Sequence, residues 1–294
     1  MDWNIDDLIV HKNKSEWGVG KVLHVNSQEV AIFFVNGGHK TFQQPAHFLS
    51  LAPVEMHSHP LLLEVSPASS RGEVRFFPLS ECIKRFLRLF PEGFYDPAYL
   101  GAVNNTGERE YKVAASEAAK LLLNKSEWQR LATENNYAEI CRRMSKIDSR
   151  TNLLHSFEKI KWHGALKDAH FQKVIADAFY EDLYGLGSRE VKFLTLAETL
   201  IGIDGCAKWT IATYYGFLLH PESRIFIKPE VTKFASETCG WDLKYQSDLN
   251  WTTLHQAEKM AQYLFDQLNT AGLKPRDFID IQSFIWCIDP KSYA

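Results

Sequence analysis

The residues best suited to chemistry lie in two short stretches of the second half of the chain. Gly202 and Gly205 precede Lys208 and Thr210, and Lys228 follows further along. Glycines before a helix let backbone N–H groups face an anion, and the helix adds the positive end of its dipole. A lysine that loses its hydration becomes a nucleophile that forms Schiff bases. The pattern predicts anion binding, with lysine chemistry as an alternative.

Residues 200–212 resemble the helix-hairpin-helix segment of the DNA glycosylase superfamily. They read Leu-Ile-Gly-Ile-Asp-Gly-Cys-Ala-Lys-Trp-Thr-Ile-Ala. In that superfamily a Leu-x-Gly-Ile-Gly turn presents backbone N–H groups to a DNA phosphate, and the next helix often begins with lysine or arginine. The resemblance extends as a helical layout over residues 80–290. It implies DNA contacts at Gly202, Ile203, Gly205, Lys208 and Thr210.

This segment departs from the superfamily in ways that bear on catalysis. The turn is longer than usual, and Asp204 puts a carboxylate beside it. Lys228 stands where the resemblance places a catalytic aspartate, and a lysine neither stabilises an oxocarbenium-like sugar nor activates the attacking group. We therefore expect no standard glycosylase hydrolysis. Lys208, Lys228 and Glu230 are the candidate catalytic residues, although a first-turn glutamate such as Glu230 also suits the helix dipole.

Basic residues gather upstream of this segment. They are Arg142, Arg143, Lys146, Arg150, Lys159, Lys161 and Lys167. Several of them share a face, and Trp162 lies among them, which suits a nucleic-acid backbone. Acidic residues from Glu139 to Asp168 interleave with them, so a solvated mixed-charge face is the other interpretation. Arg142, Arg143 and Lys146 are the candidate DNA contacts of this cluster.

The composition is that of a chain that folds around an apolar core. The 294 residues are 45% hydrophobic, 13% aromatic and 23% charged, which is far from a disordered composition. The net charge of −3 gives no overall basic field, so any nucleic-acid surface must be a local patch.

Residues 1–55 have the pattern of short β-strands. The apolar and β-branched runs fall at residues 8–10, 18–25, 29–35, 39–42 and 45–51. Asn36, Gly37 and Gly38 supply the positive-φ residues of a tight hairpin. The pattern predicts a small N-terminal β-barrel.

The same strands resemble Tudor-like barrels, which occur as a C-terminal module in bacterial DNA-repair helicases and in bacterial transcription-coupling proteins. The resemblance is carried by Asp-Leu-Ile-Val-His from residue 7, Trp-Gly-Val-Gly-Lys-Val from residue 17 and Gly-Gly-His-Lys-Thr-Phe from residue 37. Such a barrel docks a protein partner and is not a catalyst. The residues that the resemblance offers for docking are Trp17, Lys21, His39, Lys40 and Phe42. Trp17 and Phe42 also suit the core of a small barrel.

Residues 56–79 have the composition of a linker, rich in proline, serine and glycine, with one strand-like piece at 73–77. From residue 80 to 294, apolar residues recur at helical spacing, which predicts about nine helices and no strand alternation. The expected fold class is therefore α+β multidomain: a small N-terminal β-barrel at 1–55, the linker, and a mostly α-helical domain at 80–294.

Several classes of protein are not indicated. No run has the roughly 18 apolar residues of a membrane span, and the acidic start does not suit a signal peptide. The five cysteines are widely spaced and form no CxxC pair, so we expect free thiols in the cytoplasm. We find no phosphate-binding loop and no metal-ligand spacing, and expect neither a metal nor a cofactor.

These patterns favour a DNA- or nucleoprotein-associated accessory factor, in which the barrel docks a protein and the helical domain contacts DNA without standard glycosylase catalysis. One alternative is a DNA glycosylase or abasic-site lyase that uses a lysine. Another is a protein-interaction scaffold that does not bind DNA. Whether the protein is an enzyme stays open at this point, with the balance against it.

Overall fold

The computed structural model describes residues 3–57, 62, 79–101 and 107–291. Within them the chain forms a five-stranded antiparallel sheet at the N-terminus, followed by twelve α-helices. The α+β class and the order of sheet and helices are as predicted. The strand-like piece at 73–77 and nearly all of the predicted linker lie outside the described residues.

The sheet has the strand order β4-β3-β2-β1-β5, and every neighbouring pair is antiparallel. The strands are β1 Leu8–His11, β2 Val19–Val25, β3 Glu29–Phe34, β4 Gly38–Gln43 and β5 Leu49–Leu51. Alternate side chains, among them Ile9, Val22 and Ile32, point to one face and form its apolar core.

The sheet is open and does not close into the predicted barrel. Within residues 3–57, no hydrogen-bonded ladder joins β4 to β5. The reason is the path of the chain between these strands: the N–H of Gln44 donates to Gln28 beside β3, and the carbonyl of Phe48 already accepts from Lys12 beside β1. The three residues of β5 then pair with β1. The chain thus crosses between the two edges without pairing them.

Twelve α-helices follow in the described residues. They are α1 Leu79–Leu89, α2 Pro97–Leu100, α3 Glu110–Leu122, α4 Lys125–Thr133, α5 Tyr137–Asp148, α6 Ser156–Lys167, α7 Ala169–Tyr184, α8 Arg189–Ile201, α9 Trp209–Leu219, α10 Pro229–Cys239, α11 Trp251–Thr270 and α12 Phe278–Ile288. The prediction missed α2, α4 and α6. Helix α2 is a single turn, α4 buries only Trp128 and Leu131, and α6 leaves Phe157 and Ile160 exposed, so none shows a long apolar stripe.

The chain divides into two compact units, each assembled from separate parts of the sequence. The first unit comprises Met1–Pro91, Glu230–Leu243 and Ile285–Ala294, and the second comprises Glu92–Pro229 and Lys244–Phe284. The sequence-based domain boundaries at residues 55 and 80 stay predictions.

Candidate nucleic-acid interface

Residues 202–208 connect α8 to α9 and form a tight turn, called here the hairpin turn. Its floor is apolar: Ile203 is 4% exposed, and Cys206 is fully buried. The Ile203 N–H donates to the Leu200 carbonyl, and the Cys206 N–H donates to the Ile203 carbonyl. Gly205 has a φ of +74°, in the left-handed region that favours glycine. Burial of the floor therefore leaves the outer backbone of the turn towards solvent.

The start of α9 is not capped. Lys208 occupies the N-cap position with extended backbone, and its side chain makes no capping hydrogen bond. The N–H groups of Trp209, Thr210 and Ile211 have no acceptor in the part of the chain that the structure describes. Such N–H groups at the positive end of a helix attract anions.

Lys208 supplies a positive charge at the N-cap of this helix. The side chain is exposed and has neither a hydrogen-bond nor a salt-bridge partner among the described residues. It is therefore available to an anion, and its predicted role in DNA contact stays a prediction.

Asp204 is paired with a lysine that the sequence pattern did not connect to it. The Lys161 ammonium on α6 lies 2.6 Å from the Asp204 carboxylate, and both side chains are mostly exposed. The hydrogen bond from Lys161 lowers the pKa of Asp204. The stem of Lys161 also covers Gly205, where an added Cβ would lie 3.0 Å from Lys161 Cγ. The carboxylate that departs from the superfamily pattern is thus neutralised locally.

Thr210 uses its hydroxyl within the protein. The side chain is buried and donates to Glu158 Oε1 at 2.8 Å. The other oxygen of Glu158 accepts the backbone N–H of His155 and completes the cap of α6. Of the groups predicted for DNA contact at Thr210, only the backbone N–H is therefore unbonded in the described residues.

The upstream basic cluster is a mixed-charge network. Arg142 and Arg143 both donate to Glu139, and Arg143 also donates to Glu127. These hydrogen bonds lower the pKa of Glu139 to about 2. The side chain of Lys146 is exposed, and its ammonium has no partner in the described part of the chain. Two of the three predicted contacts are therefore already paired, which favours the interpretation of a solvated face.

The two candidate catalytic residues downstream have different surroundings. Lys228, in the second unit, is half-buried, and burial lowers the pKa of its ammonium; the nearby Lys112 acts in the same direction, and Glu158 and Glu108 oppose it. Glu230, in the first unit, is 86% exposed on its side chain and pairs with Lys233. These surroundings suit the alternative of a first-turn glutamate that interacts with the helix dipole.

Lys112 was not identified from the sequence. It is 1% exposed, and its ammonium donates to Glu108 at 3.1 Å and to Ser283 at 2.8 Å. Its position in the sequence could have identified it as buried, because Lys112 lies on the same face of α3 as Ala115 and Ala119. A lysine on a buried face must have polar partners.

The residues predicted for docking lie on the sheet in the first unit. Lys21 pairs with Asp6 at 2.8 Å, and the Lys40 ammonium lies 5.3 Å from the centroid of the Trp17 ring. Trp17 and Phe42 are half-buried and pack on the apolar core of the sheet, so each is part core and part surface. The side chain of His39 lies outside what the structure describes.

Among the described residues, no three His, Cys, Asp or Glu side chains gather as metal ligands would. No helix in that part of the chain is long and apolar enough to cross a bilayer.

The fold and the hairpin turn define an α+β protein with an uncapped helix start beside a free lysine. Comparison with protein-family models, with curated proteins and with solved structures gives no match to this chain. The function must therefore be argued from the site itself.

Proposed function

We propose that the chain is a DNA-associated accessory factor whose second unit binds the DNA backbone at the hairpin turn. The observation that carries the proposal is the uncapped start of α9, where three N–H groups have no acceptor among the described residues and the N-cap residue is the exposed Lys208. Backbone N–H groups and a lysine together suit a phosphate, which needs several donors and a positive charge.

The charge distribution supports a local phosphate contact. The net charge of −3 opposes general attraction to DNA, so binding depends on the few groups at the turn. Pairing with Lys161 removes most of the repulsion that Asp204 would exert on a phosphate. The contacts carry no sequence information, since N–H groups and lysine contact only the backbone.

The test is fluorescence anisotropy of the full chain with labelled duplex DNA across a salt series. We expect Lys208→Ala to weaken binding and to reduce the slope of log K against log salt by about 1, because one phosphate contact is lost. Lys125→Ala is the matched control: Lys125 is also exposed at a helix start, but that helix is capped by Asn124. Equal binding by the Lys208→Ala variant and the wild type would contradict the proposal.

A second candidate function, an abasic-site lyase, is favoured by the half-buried position of Lys228. Burial lowers the pKa of this lysine, which increases the fraction of the neutral, deprotonated amine that can attack an aldehyde. Borohydride should then trap a covalent adduct with abasic-site DNA, and the yield should rise with pH and level off below the pH at which an exposed lysine titrates.

Two variants decide whether Lys228 is the nucleophile. Lys228→Arg keeps the positive charge and should abolish the adduct, whereas Lys208→Ala should reduce it only through weaker DNA binding. If the wild-type chain forms no adduct, the lyase function is excluded. If the Lys228→Arg variant still forms the adduct, Lys228 is excluded as the nucleophile.

A scaffold function, in which a Tudor-like N-terminal module docks a protein through Trp17, Lys21, His39, Lys40 and Phe42, rests on the sequence resemblance. It predicts no salt-dependent DNA affinity in the full chain, so the same salt series separates it from the first proposal.

A further inference from the structure

The sheet of the first unit carries four half-buried aromatic side chains at one end. His11, Trp17, Phe42 and Phe48 form this aromatic cluster. The centroids of His11 and Phe48 are 4.9 Å apart with their planes 29° from parallel, and those of Trp17 and Phe42 are 6.4 Å apart at 27°. His11 and Phe42, on strands that do not pair, approach to 5.9 Å and join the two pairs of rings.

Part of each ring is held by the protein, and part is left to solvent. Trp17, Phe42 and Phe48 pack on the core formed by Ile9, Val22 and their neighbours. Burial and the charge of Lys14 lower the pKa of His11, which favours the neutral ring. The cluster thus presents partly exposed aromatic rings that are held in place by their packing on the apolar core of the sheet.

Three lysines border the aromatic cluster. The Lys40 ammonium lies over Trp17, and Lys12 donates to the carbonyl of His47 at 2.9 Å, next to Phe48. Lys14 precedes the turn that carries Trp17 and is paired with Glu16 at 3.6 Å. Glu16 is the one acidic residue in segments 8–18 and 38–50, and Glu29 of β3 lies opposite Gln43, the residue after Phe42. The three lysines outnumber these two carboxylates, so the charge around the cluster is weakly positive although the whole chain is negative.

We propose that the aromatic cluster and its lysines bind a single-stranded nucleic acid, with bases on the rings and phosphates at Lys12, Lys14 and Lys40. Aromatic rings accept any base by stacking, and lysines follow the backbone without reading sequence. The positive border disfavours a partner that presents basic side chains, because like charges repel across an interface. The aromatic cluster belongs to the first unit and the hairpin turn to the second, and this proposal does not rest on the one for the hairpin turn.

The first test is anisotropy of the full chain with a labelled oligothymidylate of about 15 nucleotides, the upper size for one small β-module. Phe42→Leu removes a ring but keeps an apolar side chain on the core. We expect it to weaken binding about 5- to 150-fold, the range for loss of one stacked base. Phe171→Leu is the matched control, since Phe171 is also half-buried and lies beside a histidine, 4.9 Å away, but in the second unit.

A second variant keeps the test decisive if Phe42→Leu does not fold, as judged by circular dichroism. The double change Lys12→Gln and Lys40→Gln should reduce the salt slope by about 1.4, at about 0.7 for each phosphate on a single strand. Lys84→Gln with Lys125→Gln controls for charge, because both lysines are exposed and lie outside the sheet.

Any one of three outcomes would overturn the proposal. The first is that the wild-type chain fails to bind the oligonucleotide. The second is that Phe42→Leu binds it as tightly as the wild type, and the third is that the double lysine change leaves the slope of log K against log salt unaltered. If the oligonucleotide fails to bind while the same changes abolish capture of a protein partner, the surface is a protein-docking site. Duplex binding that Phe42→Leu leaves intact, alongside weakened oligonucleotide binding, assigns the two ligands to separate surfaces.

Discussion

Asp280→Asn is expected to destabilise the second unit by about 3–5 kcal/mol, the range for removal of one partner from a buried ion pair. The Asp280 carboxylate is fully buried at the start of α12. Its Oδ1 accepts the Tyr99 hydroxyl at 2.6 Å and Arg109 at 2.8 Å, and its Oδ2 accepts the backbone and Nε of Arg276 at 2.8 and 3.0 Å. An asparagine loses the charge that two guanidinium groups share.

This carboxylate joins parts of the second unit that are far apart in the sequence. Tyr99 and Arg109 come from its beginning, whereas Arg276 and Asp280 come from its end. Burial and the charge of Asp280 raise the pKa of Tyr99 well above its usual value, so this hydroxyl stays a hydrogen-bond donor. The amide nitrogen of an asparagine would instead face further donors, which leaves buried groups without acceptors.

The measurement is urea unfolding. The decrease in the free energy of unfolding is calculated from the shift of the midpoint, provided that the m-value is unchanged. Asp266→Asn is the control, because Asp266 is exposed on α11 and its carboxylate accepts a hydrogen bond only from Gln262 among the described residues. We expect its midpoint to match the wild type. A decrease in the free energy of unfolding of less than about 1 kcal/mol for Asp280→Asn would contradict the importance of this carboxylate, because it would show that the two arginines find other partners.

Gly240→Ala is expected to have the second large effect, a destabilisation of the first unit by about 2–5 kcal/mol. Gly240 follows α10 with a φ of +67°. A Cβ at this position would lie 1.9 Å from Cε2 and 2.2 Å from Cζ of Phe33, whose ring is 1% exposed in β3. A left-handed alanine costs about 1–2 kcal/mol, and forced overpacking of a core adds about 1–3.

Gly272→Ala separates the two contributions. Gly272 also has a positive φ, +85°, but a Cβ there would meet nothing within 4 Å. We expect Gly272→Ala to show only the conformational cost of about 1–2 kcal/mol. Equal losses for the two alanines, again by urea unfolding, would mean that the Phe33 ring moves aside freely.

The sequence alone determined the elements whose signals are local. Alternating apolar residues and the Asn36-Gly37-Gly38 turn predicted the strands, because strand pairing by a tight hairpin needs only adjacent residues. The glycines of residues 202–208 likewise predicted a turn before a helix. Helices with a long apolar stripe were predicted, whereas α4 and α6 were missed because they bury few residues or expose apolar ones.

Only the tertiary structure decided how distant residues pair. Whether β4 meets β5 depends on the path of residues 44–48, which no periodicity encodes. Asp204 was expected to put a carboxylate beside the turn, and its pairing with Lys161 comes from the packing of α6 near the hairpin turn. Thr210 was predicted to contact DNA, and the structure shows that its hydroxyl donates to Glu158.

The aromatic cluster shows the same division. Trp17 and Phe42 were among the residues that the resemblance to Tudor-like barrels offered for docking, and His11 and Phe48 were not. Their rings meet because the open sheet curls enough to bring β1 near β4 without hydrogen bonds between them. Local sequence specifies backbone conformation through propensity and turn chemistry, whereas side-chain partners depend on the three-dimensional path of the whole chain. That path decides which charges are neutralised, which N–H groups stay unbonded and which aromatic rings share a surface.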